Sequence, residues 1–173
     1  MKWSLIAILV VLGVLLAATA VGALLPREHR SIRRAEFHQD QRAIWNTLAD
    51  FNLLPSWMPG VSGVTRVQHP GTNERWTLAT SDGDMTIEIV EADAPRRLVT
   101  RIVDAGGPFG GTWTYDIRPV EGATLVTITE DGWISNPMYR FLARYVFGTT
   151  RTLDGALRGL GDYFGETVLP AAG

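Results

Sequence analysis

The chain begins with a long run of apolar positions that has no polar face. Residues 3–25 carry no charged side chain, Pro26 ends the run, and four arginines follow within residues 27–34. A helix of that length rises roughly 34 Å, at about 1.5 Å per residue, which matches a hydrocarbon core of about 30 Å. The pattern predicts a single transmembrane anchor over residues 1–26 and a basic juxtamembrane linker over residues 27–34.

A cleaved signal peptide is the alternative interpretation of the same run. Lys2 would be its basic start, and residues 18–20 or 21–23 would supply a cleavage site of small residues. The apolar core of a signal peptide usually spans about 7–15 residues, so the length of this run favours an uncleaved anchor. Because more positive charge follows the run than precedes it, we expect the soluble domain on the cytoplasmic side of the membrane.

Past the anchor, the hydrophobic pattern predicts a strand, two short helical segments and then six strands. The first strand covers 33–40, Asp40 caps a helix over 41–50, and 51–59 is a short helix or an irregular loop because two prolines interrupt it. Alternating or β-branched stretches predict further strands at 64–69, 74–80, 85–92, 97–104, 111–118 and 124–131. Short turn sequences between them predict antiparallel neighbours.

The last predicted element is one long helix that starts after Asn136 as N-cap and Pro137 as first helical residue. Its apolar stripe, expected to pack on the sheet, is Leu142, Val146, Leu153, Leu157, Leu160 and Phe164. Its opposite side, expected to be in solvent, carries Arg140, Arg144, Arg151 and Arg158. Three glycines on one flank of the stripe, Gly148, Gly155 and Gly159, indicate a close backbone approach or space for another group.

Together these elements predict one α+β domain over residues 35–167, followed by a C-terminal tail over 168–173. Seven antiparallel strands would form a sheet curved around the long C-terminal helix, with the two short helices after strand 1. A single helix cannot fill a strongly curved sheet near its ends. We therefore expect an internal cavity between the sheet and the helix.

Composition excludes several kinds of function. The chain has no cysteine, and its three histidines, His29, His38 and His69, lack metal-ligand spacing, so we expect no metal site and no cofactor. From residue 35 onward, 11 arginines and no lysine face 17 acidic residues, a net charge of −6. Nucleic acid is therefore not an expected partner, since its binding needs a basic face.

The part of the chain from about residue 33 to residue 166 resembles a known superfamily. The resemblance is carried by AIWNTLADFNLLPSWMPGV at 43–61, GGTWTYDI at 110–117 and NPMYRFLARY at 136–145. These segments are similar to the SRPBCC superfamily, which has the START-related helix-grip fold, and closest to its polyketide cyclase/dehydrase and lipid-transport branch. The resemblance implies a hydrophobic-ligand cavity between sheet and long helix, and it implies no particular reaction.

Large aromatic and flexible side chains are the candidates for the wall of that cavity. The candidate ligand-binding residues are Trp57, Met58, Trp76, Met85, Trp113, Tyr115, Glu130, Phe141 and Tyr145. Ordinary core packing is the alternative for each of them. Glu130 faces the cavity if Val126 and Ile128 face inward, and it faces solvent if Leu125 faces inward. We favour the solvent orientation. Arg101 is a second polar candidate.

Three functions remain open after this reading. We favour a membrane-anchored protein that binds an apolar small molecule or a lipid. The first alternative is a cyclase/dehydrase-type enzyme that uses polar groups of the same cavity, and the second is a regulatory interaction module at the membrane. No nucleophile–base pair is recognisable, so we assign no catalytic residue and favour binding over catalysis. The oligomeric state is left open.

Overall fold

Eight strands form one antiparallel sheet within residues 2–67, 73–81, 83–103 and 107–173, the part of the chain that the computed structural model describes. The strands are β1 (Glu28–Phe37), β2 (Val61–Val67), β3 (Arg75–Thr80), β4 (Gly83–Asp93), β5 (Arg97–Ile102), β6 (Phe109–Val120), β7 (Ala123–Ile134) and β8 (Ala171–Ala172). Their order across the sheet is β2-β3-β4-β5-β6-β7-β1-β8. Consecutive strands from β2 to β7 are neighbours, as their short connections require.

Five α-helices accompany the sheet: α1 (Lys2–Leu24), α2 (Gln41–Ala49), α3 (Leu54–Trp57), α4 (Pro137–Leu142) and α5 (Arg151–Tyr163). A 3-10 turn (Phe51–Leu53) precedes α3, and a π-helical segment (Ala143–Phe147) follows α4. Both predicted N-caps are confirmed. The Asp40 side chain accepts a hydrogen bond from the backbone of Ala43, and Asn136 accepts from Met138 and Tyr139.

The strands match the sequence pattern, with differences at the two ends of the domain. The sheet has eight strands and not the predicted seven, because Ala171 and Ala172 pair with Arg34 and Arg33 of β1. Two alanines show no alternation, so the sequence pattern missed this strand and predicted a tail. β1 begins at Glu28, so most of the predicted linker is strand. His69 and Asp104, the predicted ends of two strands, lie outside the described residues.

The core lies between the concave face of the sheet and α5. Phe37, Ile117 and Val126 from the sheet are fully buried, as are Leu153 and Leu157 of α5. Leu160 is buried beside them, and Phe164 packs against the same cluster while remaining partly exposed. The predicted apolar stripe is therefore confirmed for the C-terminal half of the predicted helix.

The predicted single long helix is wrong for its N-terminal half. The chain breaks at Gly148, whose φ of +77° and ψ of 151° cannot continue a helix, and glycine adopts this conformation without strain. The preceding segment leaves the sheet, so Val146 is 59% exposed and Leu142 only partly buried. Of the other two glycines, Gly159 makes the close approach, since a Cβ there would lie 2.0 Å from the carbonyl oxygen of Trp57.

The segment before Gly148 packs against α1 instead. Gly22 is the buried residue of α1, and a Cβ on it would lie 1.9 Å from the carbonyl oxygen of Pro137. Arg140, which we expected in solvent, is 8% exposed, and its Nη1 donates a hydrogen bond to the carbonyl oxygen of Leu25. Arg140 is buried because its guanidinium binds a carbonyl oxygen at the end of α1 that has no partner within the helix.

α1 is long and apolar enough to cross a membrane, by length and composition. Only 6% of its most apolar window is buried against the rest of the protein. A signal sequence near the N-terminus would meet the same two criteria. The last turn of α1 is in contact with α4.

Candidate functional site

Three of the predicted site residues lie together on the concave face of β6 and β7. Trp113 pairs with Glu130, and Tyr115 pairs with Ile128, so all of these side chains share one face of the sheet. Ile128 and Val126 are buried in the core, which places Glu130 on the inward face as well. The preference for Glu130 in solvent was therefore wrong, and the register with Val126 and Ile128 facing inward is the one adopted.

We call Trp113, Tyr115 and Glu130 the concave group, together with two polar residues of β1 on the same face, His29 and Ser31. Ser31 pairs directly with Glu130, and His29 lies two residues further along the same face. The Nε2 atom of His29 is 3.9 Å from Oε2 of Glu130, and both side chains are about one-fifth exposed, at 23% and 21%. The Ser31 hydroxyl is buried and has no hydrogen-bond partner. An unpartnered buried hydroxyl is costly, so this part of the face is suited to a polar group of a ligand.

Tyr115 lies beside Glu130 within this group. Burial raises the pKa of the Tyr115 hydroxyl far above its ordinary value, and the negative charge of Glu130 raises it further. Tyr115 is therefore a neutral hydroxyl at every physiological pH. Its ring and the ring of Trp113 are 6.1 Å apart at their centroids, in a tilted arrangement. The concave group thus combines apolar ring surface with a carboxylate, an imidazole and two hydroxyls.

Four other predicted ligand residues belong to a different part of the molecule. Trp57 is 3% exposed on α3, and Trp76 on β3 is stacked on Phe51 with ring centroids 5.6 Å apart. Met58 and Met85 are partly buried against the same core. Trp76 and Met85 are on the neighbouring strands β3 and β4, while Trp57 and Met58 are at the end of α3. All four are part of the core cluster or pack against it, and the indole N–H of Trp57 is buried without a partner.

Phe141 and Tyr145 lie away from the sheet. Their rings are 5.1 Å apart, and the Phe141 Cβ is near Gly22 of α1. Tyr145 is 60% exposed in the π-helical segment. The prediction that both line the same cavity as Trp113 assumed an unbroken C-terminal helix, which the break at Gly148 removes.

Arg101, the second polar candidate, lies on the convex face of the sheet. It pairs in register with Glu88 and forms an ion pair with that carboxylate, and Arg75 binds the other carboxylate oxygen at 3.2 Å. Glu88 is only 4% exposed because the two guanidinium groups cover it. The hydrogen bond from Arg101 and, to a lesser extent, that from Arg75 hold the pKa of Glu88 below its ordinary value. This cluster joins β3, β4 and β5 and does not reach the concave group.

α5 covers only part of the concave face. Asp154 in its first turn binds Arg33 of β1, so His29 and Ser31 lie beyond the start of the helix, on the side of α1. The segment that precedes α5, residues 137–147, packs toward α1 and does not cover His29 and Ser31. Trp113 and Ile102 of the uncovered half are accordingly only partly buried. The candidate site is therefore the half of the concave face nearest α1.

A cleft lies at the edge of this uncovered half, between the start of β1 and the segment that contains α4. We call it the juxtamembrane cleft; its volume is about 350 Å³. It is lined by Leu25, Pro26, Arg27, Glu28, His29, Arg30, Ile134, Arg140, Ala143, Arg144 and Thr149. A second cleft of about 440 Å³ shares Glu28, His29 and Arg30 with the first and extends along the paired ends of β1 and β7 to Trp133. His29 thus connects the concave group to the juxtamembrane cleft.

Sequence reasoning missed His29, Ser31 and the cleft. His29 and Ser31 stand in a stretch that we read as a linker, because its arginines hid the alternation of the strand. The signal that was present is the alternation of His29, Ser31, Ala35 and Phe37 on one face. The cleft depends on the break at Gly148, and a glycine inside an amphipathic pattern does not by itself identify a break.

A metal centre is not formed by these residues. Among the described residues, no group of three or more histidine, cysteine, aspartate or glutamate side chains is arranged to hold a metal ion. His29 and Glu130 supply two side chains, fewer than such a metal site needs. As a pair they can bind a polar group or exchange a proton with it.

Solved structures with this fold are numerous, and three illustrate the range. A START superfamily protein from Mycobacterium smegmatis is 20% identical, with a TM-score of 0.60 over 79% of this chain and 99% of that chain. A conserved protein from Geobacillus kaustophilus is 14% identical, with a TM-score of 0.66 over 82% of this chain and 99% of that chain. Identities this low establish the fold and nothing finer.

The di-domain ARO/CYC protein StfQ from the steffimycin biosynthetic pathway is 12% identical, with a TM-score of 0.60 over 79% of this chain. This chain spans only 50% of the length of StfQ. No curated protein sequence matches the chain. The sequence profile of one family, described as polyketide cyclase / dehydrase and lipid transport, matches residues 33–165, which include every strand from β2 to β7 and all of α5. The chain therefore belongs to the polyketide cyclase / dehydrase and lipid transport family.

Proposed function

We propose that this chain is a membrane-anchored binding protein for an apolar small molecule or a lipid, held against the uncovered half of the concave face. The observation that carries the proposal is the diversion of the chain at Gly148. The segment before α5 packs on α1 and not on the sheet, and Trp113 and Ile102 are only partly buried. Partly buried aromatic and aliphatic surface on a concave face is what an apolar ligand requires.

Two contacts support a retained anchor rather than a cleaved leader. Gly22 permits the close approach of α1 to Pro137, and Arg140 binds the carbonyl oxygen of Leu25. Cleavage at either predicted site would remove or unravel the helical turn that contains Gly22. The face of α4 that α1 covers would then meet water, at a loss of hydrophobic stabilisation.

The exposed side chains of α4 and the π-helical segment support a position at the membrane surface. Tyr139 of α4 is 50% exposed, and Tyr145, Val146 and Phe147 of the segment that follows it are between 54% and 60% exposed. Tyrosine and other amphipathic side chains are enriched at the level of lipid headgroups. We place the domain on the cytoplasmic side, because four arginines follow α1 and only Lys2 and the amino terminus precede it.

Photolabelling of the full chain tests the ligand site. The chain is placed in phosphatidylcholine nanodiscs, labelled with diazirine analogues of palmitate and farnesol, and digested for peptide mass spectrometry. We expect saturable labelling of β6 and β7 that unlabelled ligand displaces and that Trp113→Ala weakens. Trp133→Ala is the matched control, since Trp133 lies on the opposite face of the same hairpin. Tyr145→Ala should leave the labelling of β6 and β7 unchanged.

Labelling confined to α1 would contradict the proposal, because α1 is in contact with lipid whether or not the domain binds a ligand. An absence of labelling in β6 and β7 across a broad lipid panel would favour a regulatory interaction module.

A cyclase/dehydrase-type enzyme is the second candidate, and one contact favours it. His29 and Glu130 are within 3.9 Å of each other next to the neutral hydroxyl of Tyr115, an arrangement suited to moving a proton to or from a bound ligand. The two functions differ in the fate of the ligand. Mass spectrometry of ligand recovered from the protein should show it unchanged for a binding protein. Conversion by the unaltered chain that Glu130→Gln abolishes would establish the enzyme instead.

A further inference from the structure

We propose that the juxtamembrane cleft binds the phosphate group of an anionic membrane lipid. This site shares His29 with the concave group that we assign to the apolar ligand, but its arginines lie outside that group. It depends on the proposed function only in requiring that α1 is retained. The cleft is lined by four arginines, one histidine and a single acidic residue, Glu28. That excess of positive charge stands out in a domain whose net charge is negative.

Three of the four arginines, Arg27, Arg140 and Arg144, have no acidic partner among the residues that the structure describes. Among the described residues, no acidic side chain lies within ion-pair distance of Arg27 or Arg144, and both are exposed at the rim of the cleft. Arg30 has a partner, with its Nε atom 3.5 Å from a carboxylate oxygen of Asp131. Guanidinium groups bind phosphate through paired, charge-assisted hydrogen bonds, so free arginines around one cleft form an anion site.

Arg140 supplies the second, independent observation. It is 8% exposed, and no carboxylate within the described residues pairs with it. Its Nη1 donates to the carbonyl oxygen of Leu25 at 2.6 Å, while its Nε–H is buried without any hydrogen-bond partner. A buried cation that lacks a counter-ion is strongly unfavourable. An anion in the cleft would supply both the missing charge and the missing acceptor.

The position of the cleft favours a lipid phosphate over a free one. Leu25 and Pro26, which follow the last turn of α1, line one side of it, and Ala143 of the π-helical segment lines the other. If α1 spans the bilayer, these residues lie at the depth of the headgroups. The arginines would then meet the phosphate while the acyl chains remain in the membrane beside α1. A free phosphate would make no use of the apolar lining.

Native mass spectrometry of the full chain tests this site. The chain is released from dodecylmaltoside micelles that contain equal amounts of dioleoyl phosphatidylglycerol and dioleoyl phosphatidylcholine. We expect one retained phosphatidylglycerol per chain and little phosphatidylcholine. Arg144→Gln and Arg27→Gln should each weaken retention about tenfold, the loss expected for one charge-assisted hydrogen bond. Arg158→Gln, an exposed arginine on α5 outside the cleft, is the matched control.

Arg140→Gln should abolish retention, and Arg144→Gln keeps the test valid if the Arg140 variant does not fold. Equal retention by Arg144→Gln, Arg27→Gln and Arg158→Gln would overturn the proposal, as would equal retention of the two lipids. Millimolar inorganic phosphate is the other arm. Displacement of phosphatidylglycerol by phosphate at that level would show a site for the free anion and would overturn the lipid assignment. Intact mass of the protein purified from its native membrane separates these results from loss of α1.

Discussion

Arg140 donates a hydrogen bond of 2.6 Å from Nη1 to the carbonyl oxygen of Leu25, across 115 positions of sequence. The carbonyl groups at the end of a helix have no partner within that helix, and a positive charge near them is favourable. One buried guanidinium therefore connects the end of α1 to α4. This contact, together with the close approach of Gly22 to Pro137, holds the segment before Gly148 against α1 and away from the sheet.

Arg140→Gln should lower the free energy of unfolding by about 1–3 kcal/mol, because it removes the charge-assisted hydrogen bond to the partly buried carbonyl oxygen of Leu25. Thermal or chemical unfolding of the full chain in detergent measures the change. Arg158→Gln is exposed on α5 and should change stability by no more than about 0.5 kcal/mol. Equal effects for the two variants would show that the contact with Leu25 does not contribute to stability.

Gly22→Ala should separate α4 from α1, since a Cβ at Gly22 would lie 1.9 Å from the carbonyl oxygen of Pro137. We expect faster amide hydrogen exchange across residues 137–147 and a loss of about 1–3 kcal/mol through overpacking. Gly13→Ala is the control in the same helix, because a Cβ there meets nothing within 4 Å. Unchanged exchange in Gly22→Ala would contradict the packing of α4 on α1.

Leu157→Ala should destabilise the domain by about 2–5 kcal/mol, as truncation of a fully buried leucine does. Val146→Ala should change stability by about 0.5 kcal/mol or less, because Val146 is 59% exposed beyond the break at Gly148. Chemical denaturation of both variants distinguishes the broken helix from the unbroken one. A large effect at Val146 would indicate that the N-terminal half packs on the sheet after all.

Glu88→Gln should remove a pH-dependent part of the stability. The hydrogen bond from Arg101 and the neighbouring charges hold the pKa of Glu88 below its ordinary value in the folded state. The carboxylate therefore stabilises the fold above the unfolded pKa of about 4.3, and that contribution is lost as the pH falls through the lower folded pKa. The difference in unfolding free energy between the unaltered chain and Glu88→Gln should shrink from pH 6 to pH 3. Parallel pH profiles would contradict this role.

The sequence predicted the strands well because alternation and turn residues act locally. It also predicted the burial of Leu153, Leu157 and Leu160 from their spacing alone. What it missed depends on contacts between distant segments. The apolar stripe through Leu142 and Val146 continues without interruption on a helical wheel. The chain nevertheless turns away at Gly148, and the segment before it packs on α1, which lies more than 100 residues earlier in the sequence.

The candidate site shows the same limit. Trp113 and Tyr115 were identified from residue type, and they do share the concave face. The inward direction of Glu130 required the register of β7, which a one-residue shift would reverse. His29 lies near Glu130 because β1 pairs with β7. Phe141 and Tyr145 lie away from the concave face because the helix is broken at Gly148.

Only residues 25–27 separate the end of α1 from the start of β1. Fully extended, three residues span about 10 Å, so an embedded α1 would hold the domain against its own bilayer. A domain held in this way would not carry a molecule through water from one membrane to another. It would act at one position on the bilayer, where a hydrophobic molecule leaves the membrane or returns to it. Any onward movement would have to be by a protein that comes to the same surface.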